Sequence, residues 1–233
     1  MISRETKALY YAVMRIPMRL SGLVYWAVRA PKRGNKTTIK VQLGPGQKNY
    51  LDGWINLDAN FLTAKCDVWA NLENPLPFRN DSVDVFYSHH VIEHLPDRKL
   101  VWHFREMFRC LKRGGMVRAG GPNGDMAIRK YLEGDEKWFG NFPDRHARIG
   151  GKLKNFIFCR NEHLTILTPS YLREIAEAAG FERISVCTPG RSTTNADLIE
   201  ERLLEFETWS SPTEPHTLLI ECYKPSNLPG SGR

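Results

Sequence analysis

The sequence predicts a doubly wound α/β domain with a Rossmann-like sheet, preceded by an amphipathic helical arm. The chain of 233 residues is long enough for one such domain with a buried core. From Thr37 onward, short apolar segments alternate with helical patterns, the order expected of a sheet with helices on both faces. The first apolar segment runs into two glycines and the second ends in an acid, an arrangement that such sheets use at ligand sites.

The arm, residues 1–36, carries the net charge of the protein. It holds eight basic residues and one acidic residue, which accounts for the whole formal charge of +7. On a helical wheel the apolar side chains gather on one side and the basic ones on the other. The apolar set is Ile2, Leu9, Val13, Ile16, Leu20, Leu23, Val24 and Ala27, and the basic set is Arg4, Lys7, Arg15, Arg19 and Arg29. Pro17 lacks a backbone N–H, so we expect it to kink this helix or split it in two.

Two uses of the arm are open. Residues 1–30 have the basic, amphipathic pattern of a helix that lies at the surface of an anionic membrane. The same helix can instead pack on its own domain or on a second subunit, which allows an oligomer. No apolar stretch reaches the roughly 20 residues of a spanning helix, and arginines interrupt any signal-peptide core. The sequence therefore predicts a cytoplasmic protein, peripheral at the inner face of the membrane if it binds lipid.

Residues 37–225 form the predicted domain. Its strands are expected at 38–43, 54–58, 66–69, 83–87, 116–120, 183–188 and 217–223. Residues 121–165 and an acidic, helical insertion at 194–215 interrupt the alternation, and we expect both to shape a substrate pocket. Residues 226–233 are predicted to form a disordered tail.

Two helices of this domain carry clear end signals. One is expected to begin with Asp97 as its cap and to end at the glycine pair 114–115. The other should begin with Thr168 as its cap and Pro169 at the first helical position, and should end at Gly180.

Several classes of protein are disfavoured. The five cysteines are scattered and never spaced as CxxC, so the sequence predicts neither a disulfide framework nor a zinc ribbon, and it favours a reducing compartment. Because the positive charge is confined to the arm, a basic nucleic-acid-binding face on the domain is not expected. The glycine loop lacks the third glycine of a dinucleotide fingerprint and is not a Walker loop, which disfavours a nicotinamide dehydrogenase.

The loop Gly44-Pro45-Gly46 follows the first predicted strand, and Asp58 ends the second. Glycines there let the backbone approach a ligand, and an acid at the end of the second strand can accept hydrogen bonds from two ribose hydroxyls. The pair predicts a cofactor that contains a nucleoside. A simple tight turn at the glycines and a helix-capping role for Asp58 are the structural alternatives.

The order of five segments adds a resemblance to a known family. The segments are LGPG, GWINLD, CDVWANLENPLPF, DSVDVFYSHHVIEHL and FREMFRCLKRGGMVRAGGPN. Together they resemble the class I S-adenosylmethionine-dependent methyltransferases, and more closely the small bacterial branch linked to surface-glycan synthesis. The resemblance covers residues 39–123 and resumes in the helix ending EAAGF and in the final strand. It implies a seven-stranded sheet in the order 3-2-1-4-5-7-6 with the last strand antiparallel.

The resemblance also implies S-adenosylmethionine as the cofactor, lying across the carboxyl ends of the first two strands. The loop of Gly44, Pro45 and Gly46 would pass under the methionyl part, and Asp58 would bind the ribose. Pro45 stands where a small residue is usual in the family.

At the other end of the implied cofactor, Asn71 and Leu72 would flank the adenine. Asn71 replaces an acid that often meets the adenine amino group. Ser88 with His89, at the end of the fourth strand, would lie near the sulfonium.

Three histidines are candidate catalytic bases: His90, His94 and His163. An imidazole is suited to take the proton of a sugar hydroxyl as the new bond to carbon forms. His90 and His94 would share a helix face at i, i+4, and without a third ligand in register no metal site is predicted. His103 and His216 are interpreted as structural.

The resulting hypothesis is an enzyme that O-methylates a sugar hydroxyl of a bacterial surface or lipid-linked glycan. Its acceptor would be a small molecule or a glycan, and no nucleic-acid partner is expected. The alternative from another class is a non-catalytic, methyltransferase-like binding module. An RNA methyltransferase and a small-metabolite methyltransferase are the less favoured enzymes.

Overall fold

A computed structural model describes residues 4–28, 38–60, 62–191 and 213–227, together with positions 199, 203, 205 and 207. The helices are α1 (Arg4–Val13), α2 (Arg15–Val28), α3 (Asp97–Cys110), α4 (Gly124–Glu133), α5 (Ile149–Phe158) and α6 (Pro169–Ala179). The strands are β1 (Lys40–Leu43), β2 (Ile55–Asp58), β3 (Val68–Trp69), β4 (Val83–His89), β5 (Leu111–Pro122), β6 (Glu182–Cys187) and β7 (Thr217–Tyr223). Short 3-10 turns span Ile92–His94 and Cys159–Asn161.

The described residues form a seven-stranded sheet in the order β3-β2-β1-β4-β5-β7-β6. Strands β1 to β5 pair in parallel, whereas β7 is antiparallel to both β5 and β6. This confirms the doubly wound, Rossmann-like sheet and the order that the family resemblance implies. The strand order reverses between β1 and β4, so the loops after these strands border the crevice where such sheets bind ligands.

The main core lies between one face of the sheet and helices α3 and α6. Phe86 of β4 and Val117 of β5 are buried there with Phe104 of α3 and Leu172 of α6. Side chains alternate between the two faces of a strand, so Tyr87 points to the opposite face and belongs to a second buried cluster. The sheet is therefore covered on both sides.

A buried ion-pair network occupies the second face. The guanidinium of Arg118, on β5, is fully buried and donates to Glu207 at 2.8 and 2.5 Å and to Glu221 at 2.6 Å. The Tyr87 hydroxyl also donates to Glu207, at 3.1 Å. Glu207 belongs to the insertion predicted at 194–215, of which positions 199, 203, 205, 207 and 213–215 are described. Since removing one partner of a buried ion pair costs about 3–5 kcal/mol, this network fixes the insertion to the sheet.

The arm packs on its own domain through one face. The Trp69 backbone N–H donates to Ser21 Oγ at 3.0 Å, and Met18 is buried. A Cβ on Gly22 would lie 2.5 Å from Pro77 Cβ, so only glycine allows this approach. The split at Pro17 is confirmed: α1 ends at Val13 because proline has no N–H for the Val13 carbonyl.

The opposite face of the arm is an apolar ridge that remains exposed. Its six members are 53–69% exposed: Leu9, Val13, Ile16, Leu20, Leu23 and Val24. These are the residues that the helical wheel gathers on one side. Within the described part of the chain, no helix combines the length and the apolar character needed to cross a bilayer.

The predicted end signals fit one helix and fail for the other. Thr168 caps α6 by accepting from the Tyr171 N–H, and Gly180 ends it in the left-handed conformation. Helix α3 instead starts after Pro96 without a side-chain cap, and it ends at Cys110 rather than at the glycine pair. Gly115 lies within β5, where a Cβ would come within 2.9 Å of the Asp84 carbonyl oxygen. Gly115 serves close strand approach, Gly114 has a positive φ of 76°, and β5 is longer than predicted.

Of the other predicted strands, β7 has the predicted bounds, and the rest are shortened or extended by one or two residues at their ends. The predicted tail at 226–233 lies outside the described residues except for Ser226 and Asn227. The domain boundaries at 36 and 225 stay predictions.

We expect the free energy of unfolding to fall between pH 6.5 and 5, partly because of His103. Burial lowers the pKa of His103 to about 4, whereas the unfolded chain should titrate near 6.5. The unfolded state binds the extra proton in this window, so the stability that is present above pH 6.5 is lost as the pH falls, by about 1.4 kcal/mol per pH unit. Urea unfolding of a His103→Leu variant at pH 7, 6 and 5 should therefore show a shallower pH dependence.

The His146→Leu variant is the matched control and should retain the wild-type slope. The His103→Leu profile should not become flat, because burial, His90 and Arg118 lower the pKa of His89 to about 3. Parallel profiles for the wild type and His103→Leu would contradict the prediction.

Candidate functional site

A cavity of about 510 Å³ opens at the carboxyl ends of the parallel strands. Its walls come from the loops after β1, β2, β3 and β4, from α1, and from Asn161, Glu162 and Leu164, but His163 does not line it. The volume lies within the range of small-molecule and cofactor sites. Described residues of the insertion at 194–215 do not line this cavity, so they do not shape it as predicted.

The two glycines of the first loop do different things. Gly44 has a φ of +68°, and a Cβ there would lie 2.3 Å from Val91 Cγ2, so this glycine lets the loop pack on the cavity wall. Gly46 has a φ of +58°, and a Cβ there would meet nothing within 4 Å. Open space over a backbone that only glycine adopts readily is what a ligand needs in order to approach the main chain.

The Asp58 carboxylate joins the first two strand ends. Its Oδ2 accepts from the Gly46 N–H at 3.1 Å, and its Oδ1 accepts from the Asn60 N–H at 2.8 Å. A carboxylate has about four lone-pair sites, so each oxygen can accept a further hydrogen bond from the cavity. Among the described residues no helix follows β2, so these hydrogen bonds hold a turn and Asp58 is not seen to cap a helix. They are compatible with the predicted role toward a ribose.

Three further lining residues follow β3: Asn71, Leu72 and Glu73. The Asn71 Oδ1 accepts from the Glu73 N–H at 2.9 Å, which holds this turn in place. The sequence reasoning identified the first two residues and missed Glu73. An acid is thus present at the cavity, at position 73 instead of position 71. The sequence Asn71-Leu72-Glu73 already contains this acid.

Tyr11 of α1 also lines the cavity, and sequence reasoning missed it. Its neighbour Tyr10 donates its hydroxyl to the Ala59 carbonyl at 3.4 Å, next to Asp58. The arm therefore contributes to the cavity wall. Only the docking of the arm on the domain reveals this contact.

Pro45, Ser88 and His89 do not line the cavity, although the resemblance implies that they contact the cofactor. Pro45 and Ser88 are buried. The His89 ring stacks on Tyr87, with centroids 6.3 Å apart. Because residues i and i+2 of a strand share a face, His89 lies on the side of the buried Arg118 network and away from the cavity.

The three candidate histidines converge on a residue that sequence reasoning missed, Glu93. The Glu93 side chain is 1% exposed, and its Oε1 accepts from His90 Nδ1 at 3.2 Å. The same oxygen lies 4.0 Å from His94 Nε2 and 3.9 Å from His163 Nε2. The predicted i, i+4 helix face of His90 and His94 is wrong: His90 precedes the 3-10 turn with a φ of +55°, and Glu93 relates the two rings.

Hydrogen bonds to carbonyl groups set the tautomers of two rings. His94 Nδ1 lies 3.0 Å from the Glu162 oxygen, and His163 Nδ1 lies 3.1 Å from the Ile157 oxygen. A carbonyl oxygen only accepts, so both Nδ1 atoms carry the proton, and in the neutral rings each Nε2 carries a lone pair directed toward Glu93.

The pKa values of His163 and Glu93 are both lowered within the cluster, for different reasons. Burial lowers the pKa of His163, even though Glu93 opposes the shift. Burial by itself would raise the pKa of Glu93, but the hydrogen bond from His90 and the nearby histidines lower it overall. Glu93, His94 and His163 also place one ligand atom each within 4.8 Å of the others, the spacing of a three-ligand metal site.

Comparison with known families places these features in context. Residues 29–119 match the model of a methyltransferase domain family. The matched stretch contains strands β1 to β4, helix α3 and most of β5, with every cavity residue from Gly44 to Leu95. No curated protein sequence matches the chain.

Solved structures that match the chain include methyltransferases of low sequence identity. An S-adenosylmethionine-dependent methyltransferase from Archaeoglobus fulgidus is 14% identical, with 94% of this chain and 99% of that chain covered and a TM-score of 0.50. One from Thermotoga maritima is 18% identical, with 94% and 95% covered and a TM-score of 0.49. One from Mesorhizobium loti is 16% identical, with 88% and 98% covered and a TM-score of 0.48.

The first of these likenesses establishes the fold, and the family match identifies the segment that builds the cavity. The open backbone at Gly46 and the free acceptor capacity of Asp58 fit a nucleoside-containing group. The chain thus has a Rossmann-like methyltransferase fold with a methyltransferase-domain match over residues 29–119, and S-adenosylmethionine is the cofactor that this match supports.

Proposed function

We propose that the protein is an S-adenosylmethionine-dependent methyltransferase that O-methylates a sugar hydroxyl of a surface or lipid-linked glycan. One observation carries the proposal. One cavity is lined both by the residues after β1, β2 and β3 that are proposed to bind the cofactor and by His90 and His94, which follow β4. Methyl transfer needs an acceptor held in line with the methyl group, together with a base if that acceptor is a hydroxyl.

The cofactor half of the cavity would hold S-adenosylmethionine, which supplies an electrophilic methyl group on a sulfonium. Gly46 lets the main chain approach it, and Asp58 accepts hydrogen bonds from its ribose. Leu72 and Glu73 border the adenine, and Glu73 supplies the carboxylate that Asn71 lacks. Tyr11 covers the mouth of the cavity and limits the entry of water.

The part of the cavity near His94 would bind the acceptor. There a base would take the proton of the acceptor hydroxyl as the hydroxyl oxygen bonds to the methyl carbon. His94 lines the cavity, is 43% exposed, and presents a lone pair at Nε2. Glu93 stabilises the imidazolium that forms, and His163 completes the cluster. His90 acts as a positioning residue, because it donates to Glu93 from Nδ1 and accepts from the Thr217 hydroxyl at Nε2.

The glycan assignment is supported by the family resemblance and by the arm rather than by aromatic residues of the region 121–165. Trp138 and Phe139, which the sequence analysis places in a pocket region, are buried against Phe156 in a separate cluster. The membrane side of the proposal is supported by the exposed apolar ridge and by the positive charge of residues 1–36. A lipid-linked acceptor would then be methylated by an enzyme held at the same surface.

We expect S-adenosylmethionine and S-adenosylhomocysteine to bind the purified protein with micromolar affinity. In Asp58→Ala the dissociation constant should rise about 10- to 100-fold, because a hydrogen bond to a charged group is worth about 1.5–3 kcal/mol. Isothermal titration calorimetry measures both values. Asp52→Ala, an exposed carboxylate removed outside the cavity, is the matched control and should bind as the wild type does.

Equal affinities for the wild type and Asp58→Ala would rule out the assigned cofactor position. Absence of heat with either ligand, and of a thermal shift, would instead favour the non-catalytic binding module.

We expect His94→Ala to lower kcat by about 10²- to 10⁴-fold with little change in cofactor affinity, because positioned acid–base groups contribute that much. Release of S-adenosylhomocysteine in the presence of lipid-linked oligosaccharides is the assay, and His146→Ala is the control. An unchanged kcat in His94→Ala would contradict the assignment of this base.

We expect the full chain to co-sediment with phosphatidylglycerol vesicles and much less with phosphatidylcholine vesicles. Ile16→Ser/Leu20→Ser should weaken vesicle binding at least tenfold, because each large apolar side chain contributes about 1.5–3 kcal/mol when fully buried. Leu62→Ser/Leu132→Ser removes equally exposed apolar side chains elsewhere and is the matched control. Equal binding by both double variants would exclude the ridge as the membrane contact, and a dimer in solution would identify a second copy as its partner.

A further inference from the structure

We propose that Glu93, His94 and His163 form a binding site for a divalent transition-metal ion, with Zn²⁺ as the preferred ion. Two imidazoles and one carboxylate are ligands that suit zinc, whereas Mg²⁺ and Ca²⁺ prefer sites made of oxygen atoms alone. Ion binding at this cluster does not depend on methyl transfer by the protein.

The geometry of the three ligand atoms supports the site. Glu93 Oε1 lies 4.0 Å from His94 Nε2 and 3.9 Å from His163 Nε2, and all three atoms lie within 4.8 Å of one another. Zinc bonds of about 2.0–2.2 Å in a tetrahedral arrangement place two ligand atoms about 3.3 Å apart. The carboxylate–imidazole pairs therefore need to close by about 0.6–0.7 Å on a central ion, and the two imidazole nitrogens, within 4.8 Å of each other, by at most about 1.5 Å.

The tautomers of the two rings prepare the site for a cation. Both Nδ1 atoms donate to backbone carbonyls, of Glu162 for His94 and of Ile157 for His163. Such a bond from the second ring nitrogen is the usual outer-shell partner of a metal-ligating histidine. The two Nε2 lone pairs and the carboxylate oxygen consequently face one another. A single proton can bridge only two of these atoms, whereas a cation contacts all three.

Residues outside the cluster fix the position of the Glu93 carboxylate. His90 donates to its Oε1 from the side of Thr217 and fixes the carboxylate. Its Oε2 is buried and, among the described residues, has no hydrogen-bond partner. A Cβ at Gly121 would lie 2.7 Å from this oxygen, so only glycine leaves room for the carboxylate there.

The loop that carries His163 is held in an unusual backbone conformation. Cys159, Arg160 and Asn161 have φ values of 41°, 57° and 64°, a run in the left-handed region without a glycine. Conformations of this kind are costly and occur where surrounding structure demands them, often at binding sites. This turn joins the two carbonyls that orient His94 and His163.

The site keeps one side open to the cavity. His94 and its neighbours Asn161 and Glu162 line the cavity, so an ion held by three protein ligands has a free position there. Three protein ligands with one open position are typical of catalytic zinc, and structural zinc is closed by four. Such an ion acts as a Lewis acid toward an oxygen atom bound from the cavity.

The test uses the full-length protein without a histidine tag, dialysed against a chelator and then titrated with ZnCl₂ by calorimetry. We expect one Zn²⁺ per chain, and visible absorption bands of tetrahedral or five-coordinate Co²⁺ on cobalt titration. His94→Ala and His163→Ala should each weaken Zn²⁺ binding at least 100-fold. His90→Gln, which alters only an outer-shell partner, should weaken it about tenfold. His146→Ala is the matched control and should leave the stoichiometry and affinity unchanged.

Circular dichroism and a cooperative thermal unfolding transition establish that each variant is folded. A folded wild-type chain that binds no Zn²⁺ would overturn the proposal, as would unchanged Zn²⁺ affinity in both His94→Ala and His163→Ala. Zinc binding without any cofactor binding would count against the proposed function and leave the metal site standing, so the two failures are distinguishable.

Discussion

The parallel pairing of β1 with β2 and with β4 is the constraint on which the site depends. Leu43 pairs with Leu57 on one side and with Ser88 on the other, so the three strands end at nearly the same level. The loops that follow them must therefore open at one edge of the sheet. The Gly46–Asp58 hydrogen bond then ties the first two loops together, and the third brings the histidine cluster to the same cavity.

Glu93 organises the acceptor side of the cavity in the same way. One buried carboxylate relates His90 and His94, which lie close in sequence, to His163, which arrives from a loop about 70 residues later. The three histidine rings compensate the buried charge of Glu93. In each ring, the nitrogen that does not face Glu93 is hydrogen-bonded to another protein group. The proposed proton transfer and the proposed ion site use the same lone pair of His94. The two roles exclude each other at any one moment, because Nε2 binds either the proton or the ion.

The arm has two faces that satisfy different requirements. Ser21 and Gly22 allow a close approach to the domain, and this contact carries Tyr11 to the cavity. The larger apolar side chains lie on the other face and remain exposed. A helix usually buries its most apolar side, so an exposed apolar ridge beside a basic segment indicates a surface outside the described chain.

Sequence alone determined the class of the sheet, most of its strands, helix α6 and the loop and acid at Gly44, Gly46 and Asp58. These features depend on local patterns: apolar periodicity, capping residues, and glycines next to strand ends. The same patterns misplaced the end of α3, because a glycine pair that permits close strand approach has the same sequence signal as one that ends a helix.

Only the tertiary structure decided the contents of the acceptor side and the role of the arm. In the sequence VIEHL, nothing marks Glu93 as a site residue, because only the folded chain buries it among three histidines. No local pattern links it to His163. His89 points away from the cavity because strand alternation places it on the same face as Tyr87, and Ser88, on the other face, is buried. Periodicity identified an apolar side of the arm, but which side docks depends on the shape of the surface near Pro77, and the chain forms that surface only after it has folded.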